Sequence, residues 1–340
     1  MAPGHRMTTH ASSLPHAVLD QPAGELPLAV WPCAQASLPR QRAGRYTPAS
    51  TTHPAKMAPE LARRIVASYS TPGQLVVDPM CGIGTTLVEA CGLGRRALGV
   101  ELEARWAELA RANLAVALDA ERARLAEVRR GDARTLAGLL ADVAGGVDLV
   151  ATSPPYACDV GMIDKPAWLA GRPLCRRDTL NYSEQSANLG HARGERYLAE
   201  LAGVYAQCYA VLRPGGLLVT VTKNLRRKGR VLDLAALTVQ LAGQAGFAYL
   251  QHVVALLACV RDGDLHARPS FWQLTQTRKA RARGQPAHLV VHEDVLVFTR
   301  PASSASSREL KDAQREPKGA GASSSPVDPW VGGEAAGSPS

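Results

Sequence analysis

The chain has 340 residues, of which 46% are apolar, so one large domain or two small ones can bury a sizeable core. Lys and Arg outnumber Asp and Glu by 39 to 30, and this basic excess favours a polyanionic partner such as nucleic acid. Seven cysteines without a CxxC pair argue against a disulfide scaffold and a metal site, and the longest apolar run, residues 253–260, is too short to cross a bilayer. We therefore expect a cytoplasmic protein with no membrane partner.

The two ends of the chain differ in composition from its middle. Residues 1–24 are rich in Ala, Pro, His and Ser, and residues 301–340 are rich in Ala, Ser, Gly and Pro. Neither end has the periodicity of a helix or a strand, so we expect a disordered N-terminal arm and a disordered tail. Residues 25–300 are then expected to form one domain.

Within this domain, runs typical of strands alternate with runs typical of helices. Strands are predicted at 75–77, 97–100, 125–128, 147–151, 217–221, 249–260 and 289–298. Helices are predicted at 59–69, 85–92, 105–118, 136–143, 197–212 and 232–242, and Pro214-Gly215-Gly216 is expected to end the fifth of them. This alternation predicts an α/β fold, with a mostly parallel sheet covered by helices on both faces.

One rigid loop follows the fourth predicted strand, with the sequence Thr152-Ser153-Pro154-Pro155-Tyr156. Two prolines cannot continue a sheet ladder, so the strand must end there. Open α/β sheets place their chemistry in loops at the carboxyl ends of parallel strands. The hydroxyl, the fixed carbonyl and the aromatic ring of this loop are suited to holding a flat base that carries an amino group.

Acidic residues end or follow the first three strands. The first strand leads into Asp78-Pro79-Met80-Cys81-Gly82-Ile83-Gly84-Thr85-Thr86, where the two glycines let the backbone approach a ligand closely. Glu101 ends the second strand, where a carboxylate can bind ribose hydroxyls, and Asp132 follows the third, where it can accept from an adenine amino group. The third glycine of a dinucleotide fingerprint is absent, which argues against a nicotinamide-dependent dehydrogenase.

These motifs resemble those of the DNA amino-methyltransferases, which transfer a methyl group from S-adenosylmethionine to N4 of cytosine or N6 of adenine. The family's cofactor motif, Asp-Pro-Phe-x-Gly-Ser-Gly-Thr-Thr, is similar to residues 78–86, and its catalytic Ser-Pro-Pro-Tyr is similar to residues 153–156. The segment His53-Pro54-Ala55-Lys56-Met57 resembles the motif that closes over the methionine end of the cofactor. The resemblance runs from about Trp31 to Arg300 and implies a Rossmann-like class I methyltransferase fold with a seven-stranded sheet.

The resemblance also implies the site residues. Catalysis is assigned to Ser153, Pro154, Pro155 and Tyr156. Cofactor binding is assigned to His53, Pro54, Lys56, Asp78, Pro79, Met80, Cys81, Gly82, Gly84, Thr85, Thr86, Glu101 and Asp132. Two departures are Met80 and Ile83, which replace Phe and Ser. A third is the motif order, because in most Ser-Pro-Pro-Tyr enzymes the catalytic motif comes first.

Basic residues cluster where we expect nucleic acid to bind. Residues 157–194 are predicted to be an inserted lid or base-contacting segment, with Arg176 and Arg177. Two further clusters are predicted to contact phosphates through Lys223, Arg226 and Arg227 and, after the aromatic pair Phe271-Trp272, through Arg278, Lys279 and Arg281.

The leading hypothesis is a site-specific DNA methyltransferase that acts on N4 of a flipped-out cytosine, because Ser153 occupies the first position of the catalytic motif. Adenine-N6 methylation of DNA and guanine-N2 methylation of RNA remain open alternatives. A non-catalytic nucleic-acid-binding module is a further alternative, and the intact motifs argue against it. The sequence does not indicate an oligomeric state.

Overall fold

The structure is a computed structural model that describes residues 27–155, 162–163, 179–180, 188–192, 194–227 and 230–302. The predicted N-terminal arm, most of the predicted insertion at 157–194 and the tail beyond residue 302 lie outside the described residues. Within the described residues, no helix is both long and apolar enough to cross a membrane.

Strands and helices alternate along the described chain. The strands are Val30–Pro32 (β1), Leu75–Asp78 (β2), Arg96–Glu101 (β3), Ala126–Arg130 (β4), Val147–Thr152 (β5), Met162–Ile163 (β6), Thr179–Leu180 (β7), Leu212–Thr222 (β8), Leu225–Arg227 (β9), Arg230–Leu232 (β10), Ala248–Leu256 (β11), Ala258–Arg261 (β12), Asp264–Ala267 (β13) and His292–Thr299 (β14). The α-helices are Leu38–Arg42 (α1), Pro59–Tyr69 (α2), Thr85–Gly92 (α3), Ala104–Ala117 (α4), Ala120–Ala123 (α5), Leu136–Leu139 (α6), Gly194–Val211 (α7), Leu234–Gln244 (α8) and Phe271–Ala282 (α9). Three 3-10 helices cover Pro48–Thr52, Ala133–Thr135 and Leu189–His191.

Eight strands form the main sheet, in the order β1-β11-β14-β8-β5-β2-β3-β4. All neighbouring strands are parallel except that β14 runs antiparallel to both β11 and β8. Without β1, this is the seven-stranded order of the Rossmann-like class I methyltransferases, so the predicted fold class is confirmed. β1 is an additional edge strand that the sequence pattern did not predict.

The core lies on both faces of the sheet because the central strands carry apolar side chains on both of their faces. Val76 of β2 and Leu149 of β5 belong to the cluster on one face, whereas Val77 and Val150 belong to the cluster on the other. Successive side chains of a strand point to opposite faces, so a strand buried on both faces must be apolar throughout. Helices α2, α3 and α4 cover the first face, and α6, α7 and α8 cover the second.

Most predicted elements are found with bounds that differ by a few residues, and the helices at 59–69 and 85–92 have the predicted bounds. The prediction for Pro214-Gly215-Gly216 was wrong, because these residues lie inside β8 and do not separate helix from strand. Gly215 adopts a φ of +76°, and its N–H donates to the carbonyl of Arg300 at 2.7 Å. The strand therefore continues past Pro214 as an irregularity in the ladder.

Three more elements differ from prediction. The predicted strand 249–260 is divided into β11 and β12, and β12 pairs with β13 in a separate hairpin. The predicted helix 136–143 keeps only the single turn α6. Helix α9 was not predicted, because its run Phe271–Ala282 has few apolar residues after Leu274 to form a core-facing stripe.

The strand directions bring all predicted site loops to one edge of the sheet. β1, β11, β8, β5, β2, β3 and β4 point the same way, so their carboxyl ends meet at what we call the carboxyl edge. The loops after Asp78, Glu101, Arg130 and Thr152 all leave the sheet there. This is the edge at which open α/β sheets bind ligands.

Candidate active site

Residues 79–84 form a glycine turn between β2 and α3. Gly82 and Gly84 adopt φ angles of +53° and +81°, which favour glycine. A Cβ on Gly84 would lie 3.1 Å from the Cβ of Ala110 in α4, and a Cβ on Gly82 would lie 3.1 Å from Nε2 of His53. We expected these glycines to admit a ligand. In the structure they also admit neighbouring parts of the protein, which fix the turn.

Asp78 stabilises this turn from its buried side. Its carboxylate is buried and accepts hydrogen bonds from Thr86 Oγ1 at 2.7 Å and from the N–H of Met80 at 3.1 Å. Burial raises the pKa of Asp78 to about 6, although the hydroxyls of Thr86 and Thr152 and the N–H of Met80 act in the opposite direction. Thr85 is likewise buried at the start of α3. Asp78, Thr85 and Thr86 therefore shape the turn from behind.

Cys81 supplies backbone to the turn, while its side chain faces the core. The N–H of Cys81 donates to the carbonyl of Val100 at 3.0 Å, which ties the turn to β3. A Cβ on Gly99 would lie 2.8 Å from the Cys81 sulfur, so Gly99 leaves the space that this side chain fills. Burial also raises the pKa of the thiol well above its usual value. A contact from this side chain to a cofactor is therefore not favoured.

Glu101 links the end of β3 to the glycine turn. Its side chain is only 6% exposed, and its two oxygens accept from the N–H of Gly82 at 2.8 Å and from the N–H of Glu103 at 2.9 Å. Burial raises the pKa of Glu101 to about 7, which the two N–H donors oppose and the nearby charges of Asp78 and Glu103 reinforce. Each carboxylate oxygen has a second lone pair, so Glu101 retains capacity to accept from a ligand hydroxyl.

Asp132 follows β4 and is held by Arg134. Its carboxylate accepts from the Arg134 backbone N–H at 2.9 Å and from its Nε at 3.0 Å. Partial burial raises the pKa of Asp132, but the bonds from Arg134 outweigh that effect and hold it below its usual range. Arg134 also lies 3.4 Å from Glu200 of α7. The predicted adenine acceptor is thus already engaged with a cation.

These separate segments meet around one cavity at the carboxyl edge. Its lining consists of Pro79, Met80, Glu101, Leu102, Gly131, Asp132, Ala133, Arg134, Pro155, Asn188, Leu189 and Val204. The cavity brings the glycine turn, both strand-end acids and the catalytic loop together. Its volume of about 40 Å³ is enough for one or two water molecules, which is much less than a nucleoside occupies.

The catalytic loop begins where β5 ends at Thr152. Pro154 is buried and Ser153 and Pro155 are half-buried, while Tyr156 lies outside the described residues. The carbonyl of Pro155 accepts a hydrogen bond at 3.0 Å from the hydroxyl of Tyr197, which is buried near the start of α7. Sequence reasoning placed Tyr197 only at the start of an amphipathic helix and missed this anchor.

The His53 motif lies against the glycine turn, where the His53 ring occupies the space beside Gly82. The His53 ring is buried and meets the ring of Trp106 edge-on, with centroids 4.6 Å apart. Burial, reinforced by the charge of Lys56, lowers the pKa of His53 to about 3, so the imidazole is neutral at physiological pH. Lys56 donates to the His53 carbonyl, and Pro54 is half-buried beside a wider groove that Trp106 also lines.

Asn113 in α4 joins the glycine turn to this motif, and no pattern in the sequence predicts this role. The side chain is fully buried. Its Nδ2 donates to the carbonyl of Ile83 at 2.9 Å, and its Oδ1 accepts from the N–H of Thr47 at 2.9 Å and from the hydroxyl of Ser50 at 3.0 Å. One side chain thus connects the turn to the 3-10 helix that precedes His53.

The predicted nucleic-acid contacts are distributed unevenly. Lys223 is only 6% exposed, and its Nζ lies 3.2 Å from Glu293, so this ion pair holds it away from solvent and from phosphates. The remaining residues of the first cluster, Arg226 and Arg227, lie on β9, and their side chains are not described. By contrast, the cations of the second cluster are exposed on α9, namely Arg278, Lys279 and Arg281.

Two of the predicted nucleic-acid contacts fall on residues that the structure does not describe. Arg176 and Arg177 lie outside the described residues. Among the residues that the structure describes, no group of three or more His, Cys, Asp or Glu side chains is arranged to hold a metal ion.

Comparison with known proteins supports the resemblance. A family described as DNA methylase matches residues 5–112, a span that includes the His53 motif and the glycine turn but ends before Asp132 and the catalytic loop. The tRNA (guanine(10)-N2)-dimethyltransferase of Methanothermobacter thermautotrophicus is 36% identical over 105 residues, which are 31% of this chain and 29% of that protein. The DNA adenine methyltransferase YhdJ of Escherichia coli is 32% identical over 78 residues, 23% of this chain and 26% of that protein. The type II methyltransferase M.BglII of Bacillus subtilis is 37% identical over 60 residues, 18% and 17% of the two chains.

Each of these matches covers less than a third of the relative's own length. The chain resembles the DNA amino-methyltransferases, as its motifs predict. The family match and the glycine turn it contains together support S-adenosylmethionine as the cofactor.

Proposed function

We propose that this chain is a DNA methyltransferase that transfers a methyl group from S-adenosylmethionine to N4 of cytosine. The observation that carries the proposal is the meeting of the glycine turn, Glu101 and Pro155 of the catalytic loop around one cavity at the carboxyl edge. A cofactor site and a base site have to adjoin for direct transfer between two bound molecules.

The cavity residues fit a nucleoside chemically. Buried Glu101 offers acceptors for ribose hydroxyls, and Pro79 and Met80 offer an apolar wall for a flat base. Arg134 already donates to the carboxylate of Asp132, so only the remaining lone pairs of this carboxylate could accept a hydrogen bond from an adenine amino group. When bound, S-adenosylmethionine supplies a methyl group that is already activated on a sulfonium, so the chain's own task is to bind and orient the acceptor.

Activation of the base amine is assigned to the catalytic loop. The lone pair of an aromatic amine is delocalised into the ring and is a poor nucleophile. Two acceptors that bond both amino hydrogens draw the nitrogen toward tetrahedral geometry, and we assign this role to Ser153 Oγ and the carbonyl of Pro154. Because Tyr197 already occupies the carbonyl of Pro155, the Pro154 carbonyl is the one assigned to the substrate. The prolines fix it in advance, and water accepts the proton that the amine loses.

DNA is the favoured substrate because the family match is to DNA methylases and because exposed cations on α9 favour a polyanion. The target base would leave the duplex and stack on Tyr156, at a cost of a few kcal/mol in lost stacking and pairing. The similarity to a type II methyltransferase supports a place in DNA methylation within a restriction-modification system, and hence in the cytoplasm.

Two other acceptors are candidates, each supported by a named relative. Similarity to a DNA adenine methyltransferase supports N6 of adenine, and similarity to a tRNA guanine-N2 enzyme supports an RNA acceptor. Ser153 is the observation that favours cytosine, since the adenine-N6 members of the family mostly carry Asp or Asn at this position.

The proposal is tested with S-adenosylmethionine labelled in the methyl group. Duplex DNA, single-stranded DNA and tRNA are each incubated with the protein, digested to nucleosides and separated by chromatography. We expect label in N4-methylcytosine with the wild type and no label with Ser153→Ala. The control is Ser37→Ala, which should keep its activity because the Ser37 hydroxyl, at the start of α1, makes no capping hydrogen bond. Label only in N6-methyladenine or in N2-methylguanosine would replace the assigned base.

A further inference from the structure

A β-hairpin and a helix are inserted at the carboxyl edge between β11 and β14. β12 and β13 form the hairpin immediately after β11, and α9 leads from it to β14. Since β11 is parallel to β8 and β5, this insertion leaves the sheet on the same edge as the catalytic loop. We call residues 258–267 the ribbon.

The ribbon exposes a pair of apolar side chains. Val260 and Leu265 face each other in the β12–β13 register, so both point to the same side of the ribbon. They are 50% and 56% exposed, although large apolar side chains are normally buried. Exposed apolar pairs on a rigid, projecting element indicate a contact surface.

The ribbon is held firmly at its tip and at its base. Its turn has Asp262 and Gly263 at φ angles of +53° and +85°, as in the tight two-residue hairpin turns that Asp-Gly favours. At its base the N–H of Arg268 donates to the carbonyl of Leu257 at 2.7 Å, and along β12 the N–H of Val260 donates to Gln35 Oε1 at 3.2 Å. The apolar pair is therefore presented in a fixed orientation.

The charge of the whole insertion favours nucleic acid over a protein partner. The ribbon itself carries Arg261 against Asp262 and Asp264, a net charge of −1. Residues 268–291 carry five Lys or Arg and no Asp or Glu, so the insertion as a whole has an excess of four positive charges. The cations of α9 and its C-terminal turn are exposed, namely Arg278, Lys279, Arg281 and Arg283. Proteins that bind the major groove place apolar side chains against the bases and Lys or Arg on the flanking phosphates.

The position in the sheet sets the distance from the target base. The cavity lies over β2, β3 and β4, whereas β11 lies three strands from β5 in the opposite direction. Strands are about 4.8 Å apart, so the ribbon begins roughly 14 Å from the catalytic loop. That separation equals roughly four base steps of 3.4 Å each. The ribbon thus begins on the opposite side of the catalytic loop from the proposed cofactor site.

We propose that the ribbon enters a groove of double-stranded DNA beside the extruded base, with Val260 and Leu265 against the bases and the cations of α9 on the phosphates. A two-stranded ribbon fits the major groove, which is wide enough for one. This inference rests on the proposed function and adds to it the element that contacts the duplex.

The test compares the wild-type protein with three variants. One combines Val260→Ser with Leu265→Ser, the second combines Arg278→Gln, Lys279→Gln and Arg281→Gln, and the control is Val116→Ser, which removes a 51% exposed apolar side chain on α4 instead. Binding to a fluorescent 30-bp duplex pool with a randomised centre is measured by anisotropy between about 50 and 300 mM salt, with S-adenosylhomocysteine present.

We expect the ribbon variant to bind about tenfold more weakly with an unchanged salt dependence, because two apolar contacts are lost and no charge is. The cation variant should reduce the slope of log affinity against log salt by about 2 to 3, because three phosphate contacts are lost. The control should bind as the wild type does, and all four proteins should retain their melting temperatures and their affinity for S-adenosylmethionine.

Ribbon-variant binding equal to wild type, or preference of the wild type for tRNA over the duplex pool, would overturn the inference. Methyl transfer to the same pool separates this outcome from failure of the proposed function. If the wild type binds the duplex through the ribbon but transfers no methyl group, the inference is supported and the proposed function is contradicted. If the wild type methylates the pool and the ribbon variant binds as tightly as the wild type, the proposed function is supported and the inference is contradicted.

Discussion

Glu101 is the residue whose ionisation should control cofactor affinity. Its pKa is raised to about 7 because it is buried, so the carboxyl is largely protonated at pH 6 and ionised at pH 8. A carboxylate is the better acceptor for ribose hydroxyls. We expect affinity for S-adenosylmethionine, measured by calorimetry, to rise about tenfold between pH 6 and 8.

The same shift predicts the opposite trend for the ligand-free fold. A carboxyl with a folded pKa above its unfolded pKa stabilises the protein fully below the unfolded value, and this stability is lost as pH rises through about 7. Glu101→Gln should flatten the pH dependence of binding, while Glu127→Gln, an exposed carboxyl on β4, should leave it intact. An affinity that stays constant with pH in the wild type would contradict the role of Glu101.

Gly84 and Gly73 form a matched pair that separates backbone strain from steric conflict. Both have positive φ, +81° and +85°, but a Cβ on Gly84 would lie 3.1 Å from Ala110 whereas one on Gly73 would meet nothing within 4 Å. We expect Gly73→Ala to lower the free energy of unfolding by about 1 kcal/mol from the backbone alone. Gly84→Ala should cost about 2–4 kcal/mol, because α4 must also move. Urea denaturation of both variants measures the difference. Equal losses of unfolding free energy would show that α4 moves without cost to accommodate the added Cβ.

Residues tied to a strand end were predictable, and residues that act across the fold were not. Asp78 and Glu101 could be found because each follows an apolar run, and both lie at the carboxyl edge as expected. Asn113 and Tyr197 act on residues 30 and 42 positions away in the chain, respectively, and no local pattern marks such a hydrogen bond. Likewise, the burial of Lys223 depends on Glu293, which only the antiparallel strand β14 brings alongside.

At the scale of elements, α4 is the part that holds the glycine turn and the His53 motif together. Asn113→Leu keeps the volume of the side chain but leaves the carbonyl of Ile83 and the N–H of Thr47 without their partner. Buried polar groups that lose their partners cost about 1–3 kcal/mol each. We therefore expect a loss of about 2–4 kcal/mol in the free energy of unfolding together with weaker binding of S-adenosylmethionine.

Gln41→Leu provides the control for that prediction. Gln41 also makes three hydrogen bonds between elements, to Cys33, Ala36 and Glu60, but none of them reaches the glycine turn. It should lower stability and leave cofactor affinity unchanged. If both variants weaken cofactor binding equally, Asn113 acts only through global stability.

Element bounds were predictable where turn chemistry and periodicity agree. Helix α3 starts at Thr85, directly after the left-handed Gly84, and α2 starts at Pro59; both bounds were predicted. Pro214-Gly215-Gly216 reads as a turn, yet β8 continues through it. Arg300 hydrogen-bonds to the backbone of Gly215 and Gly216, and pairing with β5 resumes at Leu217. Tertiary pairing of this kind overrides local preference and cannot be inferred from the segment alone.

At the scale of the molecule, the sheet makes motif order irrelevant to the site. β2 and β5 are neighbours, so the glycine turn and the catalytic loop adjoin whichever comes first in the chain. The fold class followed from the alternation of strands and helices. β1 was not predictable, because a three-residue strand with one buried side chain, Trp31, has no periodicity to read.

The narrow space between the glycine turn and Leu189 has a consequence for rates. Because about 40 Å³ is smaller than a nucleoside, we expect an encounter to become productive only while the walls are separated. In stopped-flow experiments that follow tryptophan fluorescence, the observed association rate constant should then approach a plateau as S-adenosylhomocysteine is increased, and that plateau is the rate constant of spontaneous opening. If the observed rate constant instead rises linearly without a plateau, the cavity is already open in most molecules.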